Sequence, residues 1–349
     1  MPSADDDRPS GEQEQPSFTR ATVKDVAVAA GVSAMTVSRV INSPNAVSPD
    51  LRAQVQRAID ALGYIPNNAA VGFRTTRSRM IGFLMPQLSV IPYHQIHTGL
   101  TDVLEPLGYS VLVGETRYDP AREARLAQML LGWRPSGVLR VPTGGEAANG
   151  RSLQSAGIPL CEFADLNDPR VTYGAGYSHE AMGRDIARHL IERGRRRIAV
   201  VMPVAVPRFM LQFEGMRQAA AEHPGVQVSS IVLPIPSPLT MEDGASVVRE
   251  LNRQGLEHDA LAFFSDVPAA GAVLECQRLG LAVPGRVAIM GYGNHDMAAH
   301  LIPSMSTVQV DFRAIGMACA RLLLELIDDP RRPRTLVPVD YAIVAREST

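Results

Sequence analysis

Arg39 lies in a stretch whose other polar-face side chains are small or mildly polar, and such a set could contact DNA. The apolar spacing predicts a helix over residues 34–42. Its buried face would hold Val37, Val40 and Ile41. Its outward face would hold Ala34, Met35, Thr36, Ser38, Arg39 and Asn42. A guanidinium can pair with guanine O6 and N7, and an apolar side chain can contact a thymine methyl group. The predicted helix therefore suits entry into a major groove.

A preceding helix would hold this one in place. Thr22 can cap that first helix, and Asp25 three residues later completes the pattern of a capping box. Gly31 follows as a residue able to take a positive φ, and Ser33 can cap the next helix. Two helices joined by a short turn with glycine at its start have the arrangement of a helix-turn-helix motif.

A third helix is predicted from Ser48–Pro49, a cap followed by proline, to Gly63. Its buried residues would be Leu51, Val55, Ala58, Ile59 and Leu62. A small three-helix bundle without a DNA role would show the same periodicity, so charge has to separate the two readings. Residues 20–79 carry eight cations and three anions, although the whole chain has a net charge of −2. Positive charge concentrated in one small module indicates phosphate binding.

The run TVKDVAVAAGVS, continued by TVSRVIN and LGYIPN, resembles the DNA-binding head of the LacI/GalR repressors. The resemblance covers the whole head and implies that the helix from Ser33 to Asn42 reads DNA. Base contacts are implied for Ala34, Met35 and Arg39, and phosphate contacts for Thr36, Ser38, Asn42 and Ser48. Thr22, Ser33 and Asn67 complete the candidate DNA-binding set, together with the hinge residue described next.

In this family a hinge helix after the YIPN motif forms on DNA and wedges an apolar side chain into the minor groove. The matching segment is Asn67 to Arg74, with Phe73 at the wedge position, where the family usually has Leu. Gly72 beside it departs from the family pattern. Because glycine costs about 1 kcal/mol in a helix, this hinge is expected to fold less readily.

The rest of the chain predicts a different architecture, and 349 residues allow about two large domains. From Met80 onward, short apolar runs alternate with amphipathic helices, which predicts parallel sheets covered on both faces. The predicted strands are Met80–Met85, Ser110–Val113, Gly137–Val141, Pro159–Glu162, Ile198–Val201, Ile231–Leu233, Ala260–Phe264, Val287–Gly291 and Thr307–Val310. One sheet does not comfortably hold so many strands, so two lobes with a cleft between them are expected.

The predicted organisation has four parts. They are a disordered acidic tail (1–19), an all-α helix-turn-helix domain (20–65), a hinge helix and linker (66–79), and an α/β core (80–349). The core looks like a two-lobed effector core of the periplasmic-binding-protein type, which would also carry dimerisation. Residues 119–139 and 275–297 most resemble the gluconate-utilisation repressors, which implies a sugar acid as the effector.

Six side chains near the predicted ends of strands or helices are candidate effector contacts: Tyr93, Arg140, Glu162, Arg208, Ser265 and Asp266. Tyr93 is placed in the loop after the first core strand, where the family holds an aromatic ring against its ligand. Arg208 could pair with a carboxylate through both nitrogens, but it could equally be a solvated surface arginine. Asp266 could instead cap the next helix, with Ser265 as the other candidate cap.

Two departures from the family bear on the ligand. Many members have Arg three residues before the glycine that matches Gly215, and this chain has Gln212 there. Many have Asp after the aromatic residue of a late strand, and this chain has Gly293 followed by Asn294. Gln212 and Asn294 stay in the candidate effector set, and the loss of both family residues speaks against a neutral sugar.

Other signals exclude several classes of function. The chain has none of the motifs G-x-S-x-G, H-E-x-x-H or a helix-opening G-x-G-x-x-G, so neither catalysis nor a cofactor is expected. His94 and His97 are three residues apart but lack a neighbouring carboxylate or Cys ligand, so no metal is expected. Three widely separated cysteines, no signal-peptide pattern and no long apolar run fit a cytoplasmic protein without a membrane segment.

The sequence therefore predicts a transcription repressor that binds double-stranded operator DNA as a homodimer and responds to a small-molecule effector. Two half-sites read by two identical heads imply a roughly palindromic operator. The alternative is a sugar-binding or transport-type protein that uses the same core without regulating DNA, and the basic head argues against it.

Overall fold

The computed structural model describes residues 21–65, 78–143, 153–203, 206–233 and 239–349. The chain divides into two compact units, with the boundary between Thr76 and Arg77. The predicted tail over residues 1–19 lies outside the described residues, as do the hinge positions Asn67, Gly72 and Phe73.

The first unit is built from three helices, α1 (Val23–Ala29), α2 (Ala34–Asn42) and α3 (Pro49–Leu62). The predicted capping box is present, because Asp25 N–H donates to Thr22 Oγ1 and Asp25 Oδ2 accepts from Thr22 N–H. The two hydrogen bonds that Asp25 receives from Thr22 lower the pKa of its carboxyl. Gly31 has a φ of 60°, which turns the chain between α1 and α2.

The core of this unit forms where the predicted apolar faces meet, with Val26, Val37 and Val55 fully buried. Gly63 has a φ of 57° and ends α3 in the left-handed conformation, as predicted. The prediction that Leu62 is buried is wrong, because its side chain is 40% exposed at the last turn of the helix. Tyr64, just beyond the turn, is buried in its place and closes the bundle.

The second unit holds two six-stranded sheets within the described residues. The strands are β1 (Met80–Met85), β2 (Ser110–Glu115), β3 (Gly137–Arg140), β4 (Leu160–Asp165), β5 (Tyr173–Tyr177), β6 (Arg197–Met202), β7 (Gln227–Val232), β8 (Ala260–Phe263), β9 (Ala288–Tyr292), β10 (Ser306–Val310), β11 (Thr335–Pro338) and β12 (Tyr341–Val344). The first sheet has the order β11-β5-β4-β3-β1-β2, and the second has the order β12-β10-β9-β8-β6-β7.

Each sheet forms the centre of one lobe, and all of the pairings are parallel except β10 with β12. The chain passes between the lobes three times: from β5 to β6, from β10 to β11, and from β11 to β12. Parallel strands buried on both faces read as continuous apolar runs, and β1 (MIGFLM) is buried along nearly its whole length. The predicted two-lobed α/β core is confirmed.

Helices cover both sheets. They are α4 (Ile91–Leu104), α5 (Pro120–Trp133), α6 (His179–Glu192), α7 (Pro207–Ala221), α8 (Met241–Arg253), α9 (Asp266–Arg278), α10 (Met297–His300) and α11 (Phe312–Asp328). In the described part of the chain, no helix combines the length and apolar character that a membrane span needs.

Three pairs of these helices pack through glycine. A Cβ at Gly99 of α4 would lie 2.0 Å from the carbonyl oxygen of Arg313, and one at Gly316 of α11 would lie 2.1 Å from that of Ile96. The pair α6 and α7 meets in the same way at Gly183 and Gly215, and α8 and α9 meet at Gly244 and Gly271. Each helix of a pair contributes one glycine, so the two backbones can approach more closely than side chains would allow.

Nine strands were predicted, and all nine are present with boundaries shifted by up to four residues. The sequence did not predict β5, β11 or β12. The β5 sequence YGAGY has glycine at two of its five positions, which weakens the strand pattern. The two C-terminal strands are only partly buried edge strands, and their pairing depends on partners far away in sequence.

Candidate functional site

The outward face of α2 is the candidate DNA-contact surface. Ser33 caps this helix by accepting a hydrogen bond from the N–H of Thr36, and the two hydroxyls lie 2.9 Å apart. Met35 is 70% exposed although it is apolar, and Arg39, four residues later on the same face, is exposed too. One exposed apolar side chain is ordinary, but Met35 and Arg39 together leave this face of α2 free to contact a partner.

The other predicted DNA-contact residues also lie on the surface of the head. Ala34, Thr22 and Ser48 are exposed, and Thr36 and Ser38 are partly exposed. The side chain of Asn42 lies outside the described residues, as do Asn67 and Phe73.

A second candidate site is a cavity between the two lobes of the core. It has a volume of about 50 Å³ and is lined by side chains of both lobes. The lining residues are Val90, Pro92, Tyr93, Tyr118, Phe163, Tyr177, His179, Pro203, Arg208, Phe209, Gln212, Leu239, Phe264, Ser265, Tyr292 and Phe312. This volume holds only a few water molecules, so a six-carbon ligand requires the lining side chains to move apart.

Arg208 is the cation of this cavity. Its Nη2 donates to Tyr93 Oη at 2.6 Å, and its Nη1 donates to the carbonyl oxygen of Pro142 at 2.9 Å. The guanidinium also lies 5.4 Å from the ring centre of Tyr118 and 4.8 Å from that of Phe209. None of the described carboxylates pairs with it. A partly buried guanidinium without an acidic partner is suited to bind an anion of a ligand.

Four tyrosine hydroxyls surround this arginine in two hydrogen-bonded pairs. Tyr93 and Tyr118 are joined at 2.9 Å, and the hydroxyls of Tyr177 and Tyr292 are also hydrogen-bonded to each other. Burial raises the pKa of Tyr93, Tyr177 and Tyr292, so these groups stay neutral and can donate or accept. Each pair can open and offer two hydroxyls to a ligand.

His179, at the start of α6, lines the same cavity. Its Nδ1 lies 3.0 Å from Asp165 Oδ2, and its backbone N–H donates to the same oxygen at 2.8 Å. Its ring centre lies 4.6 Å from that of Tyr177. Burial lowers the pKa of His179, while Asp165 raises it with a weaker effect. The imidazole is therefore neutral near pH 7, and its contact with Asp165 is a hydrogen bond.

The structure brings four of the predicted effector residues together: Tyr93, Arg208, Gln212 and Ser265. Tyr93 belongs to the first turn of α4, not to a loop as predicted from the sequence. Ser265 caps α9 by accepting a hydrogen bond from the N–H of Val267, and it also lines the cavity. Gln212 lies one turn after Arg208 on α7 and is buried.

The other four predicted effector residues do not line the cavity. Arg140 is paired with Glu162 and, at 3.1 Å, with Glu123, in a buried network of the first lobe. Thr143 donates its hydroxyl hydrogen to the second oxygen of Glu123. The charges of Arg140 and Glu162 compensate each other within this network, so their contact with an effector stays a prediction.

Asp266 and Asn294 also form hydrogen bonds with other residues of the core. Asp266 is 0% exposed and accepts hydrogen bonds from the hydroxyl of Thr307 and the backbone N–H of His295. Burial raises the pKa of this carboxyl. Asn294, with a φ of 48°, donates to Gln309 and accepts from Arg346, away from the cavity lining. Neither residue lines the inter-lobe cavity, so their contact with an effector stays a prediction.

Sequence reasoning missed four polar residues of the cavity: Tyr118, Tyr177, His179 and Tyr292. Tyr177 and His179 flank the end of β5, the strand that the sequence did not predict. Tyr118 reaches the cavity because Arg117 and Tyr118 have φ values of 53° and 58°, a conformation that no residue type there demands. Tyr292 directly follows the predicted strand Val287–Gly291 and ends the observed β9, so its place beside a strand terminus was an available signal.

Two family models match parts of this chain. Residues 22–67 match the family model of bacterial regulatory proteins, lacI family, and residues 187–349 match that of a periplasmic binding protein-like domain. The chain is 30% identical over 318 residues to the HTH-type transcriptional regulator GntR of Escherichia coli, covering 91% of this chain and 95% of that protein. GntR of Pseudomonas aeruginosa is 30% identical over 334 residues, with 95% and 96% covered.

Solved structures give the same result. A LacI-family transcriptional regulator from Silicibacter pomeroyi superposes with a TM-score of 0.84 at 28% identity, covering 94% of this chain and 99% of that one. The Lac repressor dimer bound to operator and the anti-inducer ONPF superposes with a TM-score of 0.76 at 25% identity, with 95% and 99% covered. These relatives are named as regulators of transcription, not as enzymes.

Proposed function

Since this chain belongs to the lacI family of bacterial regulatory proteins and is a DNA-binding transcriptional regulator, we propose that it represses genes of carbohydrate or sugar-acid metabolism. It binds a palindromic operator as a homodimer in the cytoplasm, and a small anionic effector such as gluconate controls that binding. The observation that carries the effector part is Arg208, a guanidinium in the cavity between the lobes that pairs with no carboxylate of the described residues.

The DNA contacts are assigned to the outward face of α2. Arg39 reads a guanine, and Met35 and Ala34 contact less polar base edges, because these three are exposed on one side of the helix. The polar residues around them contact phosphates and set the register of the helix on the duplex. These are Thr22, Ser33, Thr36, Ser38, Asn42, Ser48 and Asn67. Phe73 remains the proposed minor-groove wedge on the strength of the family resemblance.

The effector is assigned to the inter-lobe cavity. Arg208 binds its carboxylate, and the surrounding tyrosine hydroxyls, Gln212 and Ser265 bind its hydroxyl groups. Because the cavity draws its lining from both lobes, an effector there changes how the lobes meet. Such a change can be coupled to DNA binding with a free energy of about 1–3 kcal/mol.

The DNA part is tested with duplexes from the region upstream of the protein's own gene. Arg39→Ala is expected to reduce the ratio of cognate to scrambled-sequence affinity by about tenfold or more, since a bidentate contact discriminates by about 1–3 kcal/mol. Arg57→Ala, at an exposed arginine of α3, is the control and should leave that ratio unchanged. Unaltered discrimination in Arg39→Ala would contradict the assignment. Absence of salt-sensitive DNA binding by the wild type would favour the transport-type alternative.

The effector part is tested by thermal shift and calorimetric titration with gluconate, ketogluconates, other sugar acids and neutral sugars. A sugar acid is expected to bind the wild type, and Arg208→Gln is expected to weaken it at least tenfold because the carboxylate loses its charged partner. Arg217→Gln, on the exposed side of the same helix, is the control. Binding of neutral sugars alone would contradict a sugar acid as the effector.

A further inference from the structure

The Nε2 atom of His179 is a polar atom of the cavity lining to which the proposed function gives no role. His179 is 3% exposed, and among the described residues its Nε2 has no hydrogen-bond partner. A buried polar atom without a partner carries a free-energy cost, which a contact from a ligand would remove. Since His179 lines the inter-lobe cavity, that contact would be made inside the effector site.

The surroundings of the ring determine what Nε2 can do. Asp165 Oδ2 already accepts the backbone N–H of His179, and Asp165 Oδ1 accepts the N–H of Asn167. These bonds keep the carboxylate in place, and a carboxylate can only accept from Nδ1. The proton of a neutral ring therefore sits on Nδ1, and Nε2 presents a lone pair.

The groups around the ring favour the neutral form. Asp165 on β4 is the acidic neighbour, Arg208 on α7 is the cationic one, and Tyr177 on β5 packs its neutral ring against the imidazole. Burial opposes a charge on His179 most strongly, the positive charge of Arg208 adds to this effect, and together they outweigh Asp165. A neutral histidine next to a cationic arginine divides the polar lining into an acceptor and an anion-binding group.

We propose that His179 is a specificity-determining residue of the effector site and that its Nε2 accepts a hydrogen bond from a hydroxyl group of the effector. This inference rests on the proposed function, because it assumes that the cavity holds the effector. Arg208 then recognises the carboxylate and His179 recognises a hydroxyl. The protein distinguishes a hydroxylated acid from a plain carboxylate of the same length, since the plain acid leaves Nε2 buried without a partner.

The test compares two probes, D-gluconate and hexanoate, which share a six-carbon carboxylate and differ in their hydroxyl groups. Titration calorimetry is done on the full chain with His179→Phe, which removes the acceptor, and with Arg208→Gln. His179→Phe is expected to weaken gluconate at least tenfold and to leave hexanoate within about twofold, whereas Arg208→Gln weakens both. His189→Phe makes the same substitution at another buried histidine of α6 and should change neither affinity.

Two results would overturn the inference. One is an unchanged gluconate affinity in His179→Phe, and the other is an equal loss for gluconate and hexanoate, which would mean that His179 supports the site without reading a hydroxyl. If His179→Phe fails to fold in a thermal melt, His179→Asn replaces it with a smaller polar side chain and the same two comparisons apply.

The position of the proton on the His179 ring can be measured without gluconate. In protein labelled with ¹⁵N-histidine, the imidazole signals lost in the His179 variant should show the proton on Nδ1 and a bare Nε2. A proton on Nε2 would overturn the inference. Failure of every sugar acid to bind the wild type would instead contradict the proposed effector class, so the two failures are distinguishable.

Discussion

At the scale of single residues, buried and half-buried histidines link stability to pH. Burial lowers the pKa of His189 to about 4, and it lowers the pKa of His179, His97 and His258 in the same direction. On acidification the unfolded chain takes up protons at the ordinary histidine pKa of about 6.5, where the folded chain does not yet take them up. The free energy of unfolding therefore falls as the pH drops from about 6.5 toward 4.

His189→Gln is expected to reduce this loss of unfolding free energy on acidification, because it removes a histidine whose pKa in the folded chain is lowered to about 4. Urea unfolding of wild type and variant at pH 7 and pH 5 measures the effect. The same substitution at the exposed His300 is the control. If the unfolding free energy changed equally between pH 7 and pH 5 in wild type and His189→Gln, this histidine would not contribute to the pH dependence. Carboxyl groups with a lowered pKa, such as Glu347, stabilise the folded chain when ionised. Their contribution is lost only as the pH falls below about 4.5.

The buried network of Arg140 gives a second prediction at this scale. Arg140→Ala leaves the carboxylates of Glu162 and Glu123 buried without their cation. Breaking a buried pair from one side typically costs about 3–5 kcal/mol, so the unfolding free energy should fall by about that amount. Arg170→Ala removes an exposed partner of Asp168 and should cost less than about 1 kcal/mol in the same denaturation experiment. If both variants lowered the unfolding free energy equally, the ion pairs of Arg140 would not be shielded from water.

At the scale of elements, the helix pairs of the core depend on glycine at their crossings. Gly316→Ala would place a Cβ 2.1 Å from the carbonyl oxygen of Ile96, so α11 and α4 have to separate. We expect a loss of about 1–3 kcal/mol or more in the free energy of unfolding. Gly132→Ala on α5 is the matched control, because a Cβ there would meet nothing within 4 Å. It should stabilise the chain by about 0.5–1 kcal/mol. An unchanged unfolding free energy in Gly316→Ala would show that α4 and α11 can move apart without cost.

At the scale of the whole molecule, positive charge is concentrated in one segment of the chain. Residues 20–79 carry a net charge of +5 in a chain of net charge −2, so the remaining residues together carry −7. Operator affinity should therefore fall steeply with salt. For six to ten phosphate contacts per dimer, the loss between 50 and 200 mM NaCl is about 10³- to 10⁵-fold. Fluorescence anisotropy across this range measures the slope, and a flat dependence would contradict phosphate contacts by the head.

The nine predicted strands and the three head helices were found because each is a local pattern. A buried parallel strand such as β1 is a continuous apolar run, and a capped amphipathic helix such as α2 has its own start signal. The strands β5, β11 and β12 lack such a pattern, since glycine or partial exposure obscures it. They become strands by pairing with neighbours that lie far away along the chain.

The sequence by itself determined the family, the class of fold and the candidate DNA-contact face, because these depend on spacing within short segments. The lining of the inter-lobe cavity could not be predicted in this way. The sequence named Arg140, Glu162, Asp266 and Asn294, but it could not show that their polar atoms are taken up by other residues of the core. Only the tertiary structure decided that Arg208 has no acidic partner among the described residues, and that Tyr177 of the other lobe and His179 at the start of α6 lie beside it. Pairing of charges and closure of a cleft are long-range contacts, and no spacing along the chain encodes them.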